Sequence, residues 1–69
     1  MKISARNVIP GKVVAVNKGA TTAHVQIEIA PGRIVTAAIT NTSVEELGLA
    51  VGKSAYAVVK ASDVMVGVD

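Results

Sequence analysis

Residues 22 to 40 read "TAHVQIEIAPGRIVTAAIT", and this stretch decides what kind of fold the chain can adopt. Ala23, Val25, Ile27 and Ile29 alternate with Thr22, His24, Gln26 and Glu28. That period of two gives one apolar and one polar face, the pattern of a strand lying on a core. Pro31-Gly32 interrupts it with turn chemistry, and the β-branched run "RIVTAAIT" follows, so the two runs predict a hairpin. His24 falls on the solvent side. No nucleophile or acid is placed to work with it, so it reads as a surface strand residue and not as a catalytic one.

Outward from this hairpin the same signals continue. Upstream, "KVVAVN" (residues 12 to 17) is apolar on both faces and reads as a strand. Downstream, "NTSVEELGL" pairs Ser43 with Glu46 three residues on, a capping box with Ser43 as N-cap, and Gly48 offers a left-handed stop. Glu45 and Glu46 then suit the first turn of a short helix. "SAYAVVK" is a fourth strand and "VMVGV" a fifth, with turn signals at Pro10-Gly11, Asn17-Lys18-Gly19, Gly48 and Gly52. The expected fold is all-β: a five-stranded, oligonucleotide-binding-like Greek-key barrel with one short helix between the third and fourth strands. Residues 1–69 read as a single domain, without internal repeat, low-complexity segment or linker.

Composition narrows the function. A 69-residue chain has a core that rarely supplies more than ~3–5 kcal/mol unaided. It contains no cysteine and a single histidine, so neither a disulfide nor a zinc site can brace it. Oligomerisation is the remaining source of stability, and a 51% hydrophobic content with one aromatic residue, Tyr56, supplies flat surfaces for it. No apolar run is long enough for a membrane helix and no signal-peptide core opens the chain, so a cytoplasmic location is expected. The net charge of +2 comes from seven basic and five acidic residues without a basic run. Barrels that bind single strands stack bases on aromatic side chains, and one tyrosine is a poor platform, so no nucleic-acid partner is expected. No Gly-rich phosphate loop is present.

What stands out is a surplus of hydrogen-bond donors at breaks in the pattern. Ser4, Arg6 and Asn7 precede the first strand, Thr40 and Ser43 bracket the helix start, and Lys60 and Ser62 follow the fourth strand. Singly each has a structural explanation: a cap, a β-former, a strand-end charge. Together they are the parts of an oxyanion site, hydroxyls and backbone N–H groups donating and Lys or Arg supplying counter-charge. Such a site disfavours an anion that is protonated at neutral pH, because the proton would face a donor. Phosphate is thereby disfavoured relative to sulfate, molybdate or tungstate, and spacing does not choose among those three.

At these residues the chain resembles the molbindins, small molybdate-binding proteins whose domain also occurs in molybdate-responsive regulators and molybdate-importer ATPases. The resemblance covers the whole chain through "SARN" (4 to 7), "AAITNTSVEELGL", "GKSAYAVVKAS" and the closing "VMVGV". It implies that Ser4, Arg6, Thr40, Ser43, Lys60, Ala61 and Ser62 bind the oxyanion, with Asn17 and Lys18 in "NKGA" as a possible second site. It further implies molybdate or tungstate as ligand, oxyanions at subunit interfaces, and a hexamer built as a trimer of dimers. The role implied is storage or homeostasis without catalysis, membrane or nucleic acid. With no DNA-binding or ATPase segment attached, regulation or transport by this chain alone is not expected. The competing readings are a nucleic-acid-binding barrel and a structural oligomer whose donors are only caps and turns.

Overall fold

The hairpin forms as β2 (Thr22–Ala30) and β3 (Arg33–Thr40), antiparallel, in a computed structural model that describes all 69 residues. Gly32 takes a left-handed φ of 72° at its turn, which a side chain would strain. Ala23, Val25 and Ile27 are buried and His24 is exposed, as the alternation requires.

The strand before it, β1, runs Asn7–Lys18 and so absorbs Pro10-Gly11, which had the signature of a turn. Pairing explains why. Pro10 lies opposite Tyr56 of β4 (Ser54–Val59), whereas pairing with β2 begins only at Lys12, which faces both Glu28 and Ser54. At Pro10 the strand has one neighbour, and proline is tolerated where one strand edge is free. Gly11 sits beside the change of partner. A Cβ there would lie 2.6 Å from the Glu28 backbone oxygen and 2.7 Å from Ile27 Cγ2, so a side chain would force the two strands apart. Gly11→Ala should therefore destabilise the fold by about 1–3 kcal/mol, read as a lower denaturation midpoint, while Gly67→Ala, with nothing nearby, should not. Equal midpoints for the two variants would refute the close approach.

A bulge between Val13 and Ala15 then shifts the phase of β1, so that Val13 faces Ile27 and Val16 faces Val25 across the core. This is the physical reason "KVVAVN" looks apolar on both faces.

The short helix α1 (Asn41–Glu46) is capped three residues earlier than the sequence suggests. Thr40 is the N-cap: its Oγ1 accepts from the Ser43 backbone N–H at 3.0 Å and donates to Ser43 Oγ at 2.8 Å. Ser43 is thus inside the helix, and Glu45 and Glu46 fall in its last turn instead of its first, because Thr40 serves both as the end of β3 and as the cap. Gly48 does end the helix, at φ 63°. The Leu49 N–H bonds Val44 O at 3.0 Å and the Gly48 N–H bonds Glu45 O at 3.1 Å, the paired bonds of a Schellman stop. Val44 is buried and joins the helix to the sheet.

The expected fifth strand is not formed. After β4 a 3-10 turn covers Ala61–Asp63, and residues 64 to 69 leave without a sheet partner. The sheet is therefore four-stranded, antiparallel and open, in the order β3-β2-β1-β4, and not a closed five-stranded barrel. Between its two edges lies a trough of about 450 Å³ whose lining, Ile27, Val35, Ile39, Leu49 and Ala57 among it, is hydrophobic in 12 of 13 residues. Only Val13, Ala23, Val25, Ile27, Val44 and Ala57 are buried. The accessible surface is 5273 Å², against about 4,000 Å² for a monomer of this mass. The radius of gyration is 12.6 Å, against about 11 Å for a compact chain of this length. Part of the excess surface is the tail, where Met65, Val66 and Val68 are 93%, 92% and 95% exposed.

Candidate oxyanion site

The pairing of β1 with β4 is antiparallel and sets Asn7 against Val59. The Asn7 side chain locks this end by donating from Nδ2 to the Val59 carbonyl at 3.1 Å. Ser4 and Arg6 directly precede that pair, and Lys60, Ala61 and Ser62 directly follow it. Two segments that are far apart in sequence are thereby delivered to one end of the sheet. All five residues are exposed, and the hydroxyls of Ser4 and Ser62 make no hydrogen bond within the chain. Neither Arg6 nor Lys60 has a carboxylate partner, since the chain's single ion pair is Lys18 with Glu45. Asp63 closes the 3-10 turn through its backbone N–H, which bonds Lys60 O at 2.9 Å. The local chemistry is two cations and two hydroxyls without partners in the chain, the backbone of a short turn, and the exposed carboxylate of Asp63 at the end of that turn.

Thr40, Ser43, Asn17 and Lys18 are not part of that group. Thr40 pairs with Thr22 where β2 begins, and Lys18 pairs with Ala23, so these residues gather at the other end of β1. Twelve residues of strand separate the two ends, a contour of roughly 36 Å at about 3.3 Å per residue. One chain cannot bring all the expected ligands onto one small anion. Thr40 and Ser43 also spend their hydroxyls on each other and on the cap, and Lys18 Nζ lies 3.5 Å from Glu45 Oε1. Sequence reading missed Asn41, which ties this end together: its N–H bonds Thr21 O at 2.9 Å and its Nδ2 bonds Gly19 O at 3.0 Å. Asn at the first position of a helix was its only signal.

No three His, Cys, Asp or Glu side chains gather anywhere, so the chain offers no multidentate site for a bare cation. No helix is long and apolar enough to cross a membrane.

Residues 3–66 match the TOBE domain. The chain is 49% identical over its full length, and over all of the relative, to a probable molybdenum-pterin-binding protein of Haemophilus influenzae. Its fold superposes on MopII from Clostridium pasteurianum with a TM-score of 0.89 at 51% identity, covering 97% of this chain and all of that one. It superposes on the cytoplasmic molybdate-binding protein ModG, solved with molybdate bound, with a TM-score of 0.94 at 42% identity, covering all of this chain and 49% of that protein. With near-complete coverage at this identity, the chain belongs to the TOBE domain family, in the molbindin group that these relatives represent.

Proposed function

We propose that this chain binds molybdate, and tungstate by the same chemistry, as a cytoplasmic store or buffer without catalysis, at sites completed where copies of the chain meet. The observation that carries the reading is the junction of β1 and β4, which collects Ser4, Arg6, Lys60, Ala61 and Ser62 at one end with no internal partner for either cation. Full-length identity to a molybdenum-pterin-binding protein and the likeness to ModG with molybdate support it.

The relatives' names leave open a pterin or an inorganic ion, and the trough argues against the pterin. A pterin ring carries several amide and amino groups, and the trough offers side-chain hydrogen-bonding groups only at Ser54 and Tyr56. Each buried polar group without a partner costs about 1–3 kcal/mol. The polar ends of β1 suit a small tetrahedral dianion instead.

Self-association follows from the unfinished sheet. Val64, Val66 and Val68 alternate along the unpaired tail, with Val66 92% and Val68 95% exposed. A second copy offers both an open edge and an apolar trough of matching character. The surface in excess of a compact monomer, over 1,000 Å² by the scaling of surface with mass, compares with the ~800 Å² per partner of an ordinary stable interface. The hexameric arrangement implied by the sequence resemblance is the assembly we propose.

Calorimetric titration with molybdate, tungstate, sulfate and phosphate tests the ligand. Molybdate and tungstate should bind alike. Phosphate should bind roughly 5- to 150-fold more weakly at neutral pH, the span that corresponds to one unsatisfied buried pair. Sulfate, being smaller, should also bind more weakly. Phosphate binding as tight as molybdate overturns the donor-only site.

A further inference from the structure

We infer that Glu45 is a built-in competitor for Lys18 that sets how much external dianion the far end of β1 requires before it binds. The inference rests on the oxyanion reading above and adds a residue that neither the sequence resemblance nor that reading assigns.

Lys18 closes β1, and its partner is placed by the fold. The loop after it is closed by Gly19 N–H to Thr22 O at 2.7 Å and fastened to the helix by two bonds, Asn41 N–H to Thr21 O at 2.9 Å and Asn41 Nδ2 to Gly19 O at 3.0 Å. Asn41 and Glu45 are four residues apart and so share one helix face. Asn41 holds the backbone beside Lys18, and Glu45 meets the ammonium 3.5 Å away. The carboxylate gains from this in its own right, because it sits in the last turn of the helix, where the backbone dipole is unfavourable to negative charge.

The pair is wet and weak. The two side chains are 45% and 72% exposed, and at such exposure a pair holds its partners only marginally. A monoanion gains little by replacing a carboxylate already in place. A dianion carries twice the charge to the same ammonium and wins the exchange. Glu45 therefore keeps Lys18 compensated at low dianion concentration. The end bearing Lys60 and Arg6, which has no such competitor, fills first.

The test is calorimetric titration of molybdate into the full chain as wild type, Glu45→Gln and Glu46→Gln. Glu46 is exposed and unpaired, so its variant changes net charge equally without touching Lys18. Glu45→Gln should tighten the weaker binding phase about two- to fivefold, the range an exposed ion pair spans, and leave the tighter phase alone. Glu46→Gln should change neither, and Lys18→Met combined with Glu45→Gln should lose the gain. Equal shifts in the two glutamine variants, a looser weak phase in Glu45→Gln, or a single phase indifferent to it each overturn the proposal. A wild-type chain that takes up no molybdate fails the oxyanion reading itself, a result distinct from any of these.

Discussion

Val66→Asp should abolish assembly and molybdate uptake together while leaving the sheet of the separate chain folded. Val66 is 92% exposed, and substitutions at such positions ordinarily change stability by less than about 0.5 kcal/mol. Any large effect must then arise outside the isolated chain. If Val64, Val66 and Val68 lie in the trough of a second copy, an aspartate among them places a charge against an almost wholly apolar lining. Burying an unpaired ion costs several kcal/mol, and each 1.4 kcal/mol is a factor of ten in dissociation constant. Assembly should weaken by two to three powers of ten or more on that reckoning. Light scattering reads the mass, circular dichroism the folded sheet, and elemental analysis after gel filtration the retained molybdenum. A folded Val66→Asp chain with wild-type mass and wild-type molybdenum would show that the tail is a free end and that each copy carries its own site.

Lys60→Ala carries the second large effect. Lys60 follows the β4 residue paired with Asn7, and it has no acidic partner to share its charge. Its removal should cost one charge-assisted hydrogen bond, about 1.5–3 kcal/mol, or roughly ten- to a hundredfold in the molybdate dissociation constant. Lys53→Ala, in the turn before β4, should cost almost nothing although it removes the same formal charge. Equal losses would mean that overall charge, not a site, attracts the anion. Arg6→Lys separates charge from geometry, since lysine keeps the charge and loses the planar fork.

The parts of the fold legible in the sequence are those whose partner lies nearby. Ala23 to Ile29 and the turn at Pro31-Gly32 suffice for the hairpin, because both strands and their turn lie within 19 residues of chain. The stop at Gly48 is equally local. The errors come from residues whose role depends on a distant neighbour. Pro10-Gly11 has turn chemistry, yet β4, more than forty residues on, makes it a strand with one free edge. Thr40 is β-branched and ends a strand, which hides it as the cap and lends the role to Ser43. The segment "VMVGV" alternates like a strand, but alternation does not say which edge receives it, and no edge of its own sheet does. The expected ligands divide into two groups in the fold, and that division was not legible in the sequence. Only the register of β1 with β2 and β4 separates Ser4, Arg6 and Lys60 to Ser62 from Thr40, Ser43 and Lys18.

The hydrogen bond that joins β1 to the end of β4 also has the longest span of any side-chain hydrogen bond in the chain. Asn7 and Val59 stand 52 residues apart, whereas the β2–β3 hairpin closes across two. Loop-closure entropy rises with the length enclosed and must be met before a contact returns anything. The hairpin can therefore form early and alone, while the junction of β1 and β4 forms only once the helix and both intervening strands have brought its ends near. A chain still emerging from synthesis, or one partly unfolded, has Arg6 without Lys60, so the group of Ser4, Arg6, Lys60, Ala61 and Ser62 is assembled last.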